Sequence, residues 1–449
     1  MNELYLQLKN LSLAENLPEH EYLFSLADKA SSLLEKEVAW YRAPAKNGNG
    51  GGLLDFTEEA RSSVVARGVS AGEEAASRGA GDVSGARSGV GGAVGARDVP
   101  GIAGGAAKAA AGACGYVAGA SAGESEAGVP FRAPVEKPLI IVPDLHARSY
   151  FLMHILDFTL PAGFVSGAGF VTGNGRDGSS CGQTSSGGQN SASTSQMSGA
   201  GCALTVFEAL SKNLVNVVCV GDLLHSELRG KARWLRAALE FEGGNFTGEA
   251  MTEEMKEGLS LLSMVMELKC AFPESFHVLK GNHENILNEA GDGNYSFGKF
   301  ANEGEMCRLF MGEQYGDDVL YVVSCFEKAL PLFAAFDSCV ISHAEPLRAY
   351  SREELVEGLL KPEVIKGLTW TENGASEPGS VSAMISIFAN YRRFRFPCYF
   401  GGHRPVRGKY ALRQNGSYIQ FHNPEEENVV LISGQRDFNP DTDIVSVNR

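Results

Sequence analysis

Paired cysteines are missing from this chain of 449 residues: its nine cysteines are scattered singly, with no Cys-x-x-Cys among them. That spacing excludes a disulfide framework and a thiolate zinc site, and predicts reduced, mostly structural thiols. Basic charge is also scarce. Lys and Arg number 39 against 54 Asp and Glu, for a net charge of −15. Such a surface repels nucleic acid and anionic membranes, so neither is expected as a partner. A phosphate-bearing substrate must then be held by metals or by a local cationic patch. No window is long and apolar enough to span a bilayer; the Ala/Gly-rich stretch 101–123 comes nearest and is broken by glycine. The opening Met1-Asn-Glu-Leu-Tyr5 lacks the basic segment and apolar run of a secretory signal. A soluble, cytoplasmic protein is expected.

Aromatic residues nearly vanish from Asn47 to about Pro130, where Gly, Ala, Ser and scattered charge dominate. A segment of that composition buries too little apolar surface to offset its ordering entropy. Residues 46–134 therefore read as a flexible linker. Before it, an N-terminal helical segment (1–45) contains a helix over 20–42, with Leu23, Leu26, Ala27, Leu33, Leu34 and Val38 near helical spacing. A second Gly/Ser-rich stretch, 163–202, reads as a disordered insertion in a folded domain spanning 135–435, with a tail at 436–449. Loop closure costs grow only logarithmically with length, so that insertion is compatible with an intact core.

What the chain does have is a series of short apolar runs suited to buried strands: Leu139–Val142, Val217–Val220, Phe276–Leu279, Cys339–Ile341 and Cys398–Phe400. Helical periodicity lies between them, over 226–241, 251–271, 297–312 and 380–395, and Asn415-Gly416 sits between alternating runs as a hairpin turn should. Strands alternating with helices predict an α/β core, in which loops leaving the carboxyl ends of strands converge on a site.

Each run closes on a polar motif: Asp144-Leu-His146, Gly221-Asp222, Gly281-Asn282-His283-Glu284, Ser342-His343 and Gly402-His403. Singly these are weak signals, since a lone Gly-Asp is a common turn and an isolated histidine is more often a satisfied core residue. Together they supply two aspartates, one asparagine and four histidines in order. That is the donor set a pair of divalent metals needs, and paired metals split phosphate esters. An amide oxygen from Asn282 suits a hard or borderline cation, and His283 is placed to give a proton to a leaving oxygen.

The motif order resembles the calcineurin-like metallophosphoesterase superfamily, and within it the phosphoprotein (Ser/Thr) phosphatase branch. Phe326–Ala335, Gly367-Leu-Thr-Trp-Thr371 and Gly402-His-Arg-Pro-Val406 resemble that branch's runs at matching places, so the likeness covers about Pro138 to Ile432 without the insertion. It implies an α/β (α+β) fold, a four-layer αββα sandwich of two mixed sheets. It assigns Asp144, His146 and Asp222 to one metal and makes Asp222 the bridge to a second, held by Asn282, His343 and His403. His283 becomes the general acid, with Asp222 and His283 as the catalytic pair. The implied chemistry is monoester hydrolysis by direct attack of a hydroxide bridging two divalent metals. Donors of O and N type without thiolate suit Mn, Fe or Zn. Substrates would be a phosphorylated small molecule or a phosphoprotein. A Ser/Thr phosphoprotein phosphatase and a dinucleoside-polyphosphate-type nucleotide phosphohydrolase are the alternatives within the class, and a catalytically weak scaffold is the alternative outside it.

The departures fall where substrate is gripped. The branch has Gly-Asp-x-x-Asp-Arg-Gly where this chain reads Gly221-Asp-Leu-Leu-His225-Ser226-Glu227. In the branch that second Asp orients the acid histidine and the Arg grips phosphate. Here Glu227 is the nearest substitute carboxylate. Arg404, Arg229 and the cluster Arg392, Arg393 and Arg395 are the candidate replacement cations, with Arg404 favoured because His403 precedes it. His225, Arg229 and Arg404 are thus the candidate substrate-binding residues. His343-Ala-Glu345 stands where the branch has His-Gly-Gly, adding a negative charge near the pocket.

Overall fold

Strands that are largely apolar on both faces need cover on both, and the computed structural model, which describes residues 2–39, 41–63, 137–165 and 203–448, supplies it with four layers. Helices α1 (Glu3–Ser12), α2 (His20–Lys36), α3 (Ser149–Asp157), α4 (Val206–Ser211), α5 (Lys231–Glu242), α6 (Glu249–Ala271), α7 (Glu303–Tyr315) and α8 (Asp317–Ala329) flank one sheet. Among the described residues that sheet runs in the order β11 (Ile444–Ser446), β10 (Asn428–Ile432), β2 (Leu139–Val142), β3 (Asn216–Cys219), β4 (Phe276–Val278). The second sheet runs β1 (Leu53–Asp55), β5 (Phe333–Ala335), β6 (Cys339–Ser342), β7 (Cys398–Gly401), β9 (Tyr418–Gln420), β8 (Ala411–Arg413). Its outer face is covered by α9 (Arg352–Val356), α10 (Pro362–Thr369) and α11 (Ser380–Phe388).

Alternation along each strand sorts the residues between layers. Ile140, Val142, Val217 and Cys219 face the large helical layer, whereas Leu139, Ile141, Val218 and Val220 meet Ala334, Ile341, Phe400 and Ile419 between the sheets. Leu53, Phe333, Ala335 and Val340 turn outward onto Leu355, Leu368 and Phe388. The expected α/β sandwich of two mixed sheets is therefore present. In one sheet β2, β3 and β4 are parallel, and in the other β6, β7 and β9 are parallel. Six carboxyl ends are available to build a site.

Two boundaries differ from expectation. Residues 64–136 and 166–202, most of the linker and of the insertion, lie outside the described residues. The start of the supposed linker is sheet: Leu53, Leu54 and Asp55 pair in parallel with Phe333, Ala334 and Ala335. Leu53, Leu54 and Phe56 are buried, each contributing about 1.5–3 kcal/mol, a signal that the average composition of the long polar stretch conceals. Nor is 436–449 a simple tail, since Ile444–Ser446 pairs antiparallel with β10. The helix expected over 20–42 ends at Lys36, and Val38 is exposed.

Arg42 explains why the chain turns there. Its guanidinium is fully buried and donates to Glu37 Oε2 at 2.8 Å and to three carbonyls, Gly51 at 2.9 Å, Leu34 at 3.2 Å and Ala329 at 2.7 Å. Lys269 Nζ reaches Glu37 Oε1 at 2.7 Å. These bonds join the end of α2, the start of β1, α6 and the end of α8. The N-terminal segment is part of the core.

Candidate metal centre

Every motif of the series leaves a parallel strand end: Asp144 and His146 after β2, Asp222 after β3, Asn282 and His283 after β4, His343 after β6, His403 after β7. To turn side chains inward immediately after a strand, the backbone enters the left-handed region at His146 (φ 43°), Asp222 (φ 53°), His225 (φ 65°) and His403 (φ 63°). Conformations this costly for non-glycine residues cluster in proteins at active sites and ligand clamps. Two glycines permit the close approach. A Cβ on Gly402 would collide with Asp144 Oδ1, and one on Gly281 with Asp222 Oδ1.

The carboxylates are held by backbone. Asp144 Oδ2 accepts from the His403 N–H at 2.9 Å and Asp222 Oδ1 from the His283 N–H at 3.0 Å. Glu284, the last residue of its motif, ties the β3 and β4 loops together: its carboxylate accepts from the N–H groups of Asp222 (3.0 Å), Leu223 (2.7 Å) and Gly281 (2.6 Å). The imidazoles are oriented by carbonyls, with His146 Nδ1–H donating to His225 O at 3.1 Å and His343 Nδ1–H to Val220 O at 3.0 Å. Each then aims an unprotonated Nε2 at the centre, the arrangement that prepares histidine as a metal ligand.

What converges there is a set of atoms able to ligate a metal. His343 Nε2 lies 2.9 Å from Asn282 Oδ1, 3.3 Å from His403 Nδ1 and 3.4 Å from Asp222 Oδ2. His146 Nε2 lies 3.6 Å from Asp222 Oδ2 and 3.9 Å from Asp144 Oδ2. Three ligand-competent groups form: Asp144, His146 and His422; His146, Asp222 and His283; Asp144, Asp222 and His343. Asp144 Oδ1 and His403 Nε2 are buried without a hydrogen-bond partner. Burial pushes Asp144 up to about 6, with the Glu227 charge acting the same way. Asp222 rises well above the usual carboxylate range through burial and the charges of Asp144 and Glu284. Burial also holds His146 down to about 4, His403 to about 3 and His343 well below its ordinary value. Neutral imidazoles beside crowded buried carboxylates want a cation, and the residues present fit divalent metals.

The candidate substrate-binding residues each have partners of their own. His225 Nδ1 lies 2.9 Å from His283 Nδ1, so a histidine pair stands where the motif resemblance implies a carboxylate beside His283. Glu227 does not substitute for it; its Oε2 accepts from His422 Nε2 at 2.9 Å. Arg404 lines the cavity but is bidentate to Glu372, with Nε to Oε2 at 2.8 Å and Nη2 on Oε1. Arg229 is committed to the Glu257 carboxylate and to the carbonyls of His146 (3.2 Å) and Ala147 (3.0 Å), supporting the first motif from behind. Arg393 serves the Gly434 carbonyl and Asp337, away from the cluster. Glu345 accepts from Arg413 and Gln414 instead of facing the pocket bare.

A cavity of ≈ 200 Å³ opens onto the cluster, lined by His146, His225, Asn282, His283 and His403 and rimmed by Phe297, Phe300 and Trp370. Phe297 lies 3.8 Å from the His283 ring, centroid to centroid. Lys299, on the same loop, is a cavity-lining cation that the motifs do not reach; its Nζ is 3.5 Å from Glu227 Oε1. His422 and Lys299 are residues that sequence reasoning missed, and Glu284 is a motif residue to which it gave no role. His422 had a signal, since it closes the apolar run Tyr418-Ile-Gln-Phe421 as the other histidines close theirs.

No protein-family model matches the chain, and no curated protein does. Solved structures resembling it include a protein serine/threonine phosphatase from Saccharomyces cerevisiae with similarity to human phosphatase PP5, 12% identical over 69% of this chain and 78% of that one, TM-score 0.38. Another is a cold-active protein-tyrosine phosphatase of a psychrophilic Shewanella species, 11% identical over 66% of this chain and 75% of that one, TM-score 0.33.

Proposed function

We propose that the chain is a metal-dependent phosphoesterase that hydrolyses phosphate monoesters at a pair of divalent cations. The observation carrying this reading is the convergence of His343 Nε2, Asn282 Oδ1, His403 Nδ1 and Asp222 Oδ2 within 2.8–3.4 Å of one another or of a shared neighbour, a spacing that suits the donor atoms of one cation. Asp144, His146 and Asp222 would hold one cation; Asp222, Asn282, His343 and His403 would hold the other. Such a pair supplies Lewis-acid polarisation of the phosphoryl group and a nucleophilic water at neutral pH.

The remaining work falls to the chain. If His225 donates its Nδ1–H across the 2.9 Å contact, His283 keeps its own proton on Nε2, the nitrogen 3.7 Å from Asp222 Oδ2 and facing the cluster. That proton is the one presented to a leaving oxygen. A histidine partner lends no charge assistance to proton delivery, unlike a carboxylate. Leaving groups needing little protonation, such as aryl oxides, are therefore the favoured ones. The cavity of ≈ 200 Å³ falls below the roughly 300–1,000 Å³ of sites that engulf whole small molecules. It suits a phosphoryl group presented from outside, as on a side chain or compact monoester, better than a buried nucleotide.

Lys299 and Arg404 are the cations at the mouth, and Arg404 is neutralised by Glu372. Lys299→Ala is expected to raise KM for an aryl phosphate about tenfold, the value of one charged hydrogen bond, with kcat changed less. An unchanged KM would remove Lys299 from the site. The function itself is tested by stripping metals with chelator and restoring Mn²⁺. Activity on an aryl phosphate and phosphopeptides should vanish and return, with a dinucleoside polyphosphate turned over more slowly. Hydrolysis that ignores the chelator, or none with any metal, would overturn the proposal.

A further inference from the structure

Five of the six parallel strand ends deliver residues of the motif series. The sixth belongs to β9, and the residue that leaves it toward the cluster is His422. Its side chain is fully buried. Its Nε2 donates to Glu227 Oε2 at 2.9 Å, which turns the other ring nitrogen, Nδ1, toward the cluster. That Nδ1 has no hydrogen-bond partner, lies 4.0 Å from Asp144 Oδ2, and forms with Asp144 and His146 one of the three ligand-competent groups. The His422 ring is 5.2 Å from that of His146, centroid to centroid. A carboxylate gripping one ring nitrogen while the other points at a cluster of ligands is how proteins orient a metal-binding histidine.

We propose that His422 is a further ligand of the cation held by Asp144, His146 and Asp222, and that Glu227 is its positioning residue. This rests on the phosphoesterase reading but departs from the pattern that the motif resemblance implies, which carries no ligand there. Glu227 occupies the third place of the altered His225-Ser226-Glu227 step. The same local change that removes the gripping Asp-Arg pair therefore installs the carboxylate that aims His422. The consequence is a nitrogen-richer shell for this cation, with two imidazoles and two carboxylates, which favours borderline cations such as Zn²⁺ or Fe²⁺ over Mg²⁺.

Metal binding to the full chain, measured apart from turnover, tests it. Mn²⁺ is titrated into metal-free protein and free Mn²⁺ is read by EPR. Wild type is expected to bind two ions. His422→Ala should weaken one of the two by at least about tenfold and leave the other unchanged, while His422→Asp, which restores a donor, should recover most of the loss. Glu227→Gln should weaken the same ion to a smaller degree, and it serves alone if His422→Ala fails to fold. Two ions bound by His422→Ala with wild-type affinity would overturn the assignment and leave the phosphoesterase reading standing. A wild type that binds no metal would overturn both.

Discussion

Asp222→Asn is expected to lower turnover on an aryl phosphate by at least about 10³-fold, since loss of one transition-state donor alone costs roughly 10²–10³. The amide keeps the shape of the side chain and an oxygen for the His283 N–H, now 3.0 Å from Oδ1. What it removes is the negative charge at the one position within reach of both ligand sets, 3.6 Å from His146 Nε2 and 3.4 Å from His343 Nε2. The fold should not suffer. Burial already drives the Asp222 carboxyl well above its ordinary range and so disfavours its charged form in the metal-free protein; a neutral amide in its place costs that state little. Metal-free Asp222→Asn should therefore melt no lower than metal-free wild type, and the activity loss should come without a stability loss. Near-normal rates would exclude Asp222 from the bridging role.

The second large effect lies far from the chemistry. Arg42→Ala is expected to destabilise the chain by about 3–5 kcal/mol, because removing one partner of a buried ion pair leaves the other uncompensated. Here the abandoned groups are Glu37, shared with Lys269, and the carbonyls of Leu34, Gly51 and Ala329. At roughly 2–4 °C per kcal/mol for larger domains, Tm should fall by on the order of 10 °C, with activity unchanged below the transition. An unaltered Tm would show that the N-terminal segment does not anchor to the core. The same reasoning forbids excising residues 47–130 as a mere linker: the cut removes β1, whose Leu53–Asp55 edge pairs with β5.

Much of this was legible because burial on both faces writes itself into sequence. Strands β2, β3, β4, β6 and β7 are largely buried and apolar, with Asn216, His277 and Ser342 as the polar exceptions, and each is followed by a motif residue whose strand-end position is a matter of spacing alone. The Asn415-Gly416 turn was equally plain, and both residues adopt positive φ, 55° and 88°. What escaped was context. Leu53-Leu54-Asp55 is too short to stand out from the glycine-rich stretch around it, and β10 and β11 carry no motif to draw attention to them. Glu227 and His422 are 2.9 Å apart in space but separated by most of the domain in sequence. The partners of the candidate cations were hidden for the complementary reason: nothing in the sequence says that Arg404 meets Glu372 or that Arg229 meets Glu257. Ligand identity is local, whereas charge neutralisation is tertiary.

The most direct measurement is the number of metal ions bound per chain after chelation, Mn²⁺ reconstitution and removal of free ion, by elemental analysis of wild type beside Asp222→Asn. Two ions in the wild type and at most one in the variant are expected, since Asp222 serves both ligand sets. A wild type that retains no metal, with its fold intact and its ligands unchanged, would contradict a metal centre at this site.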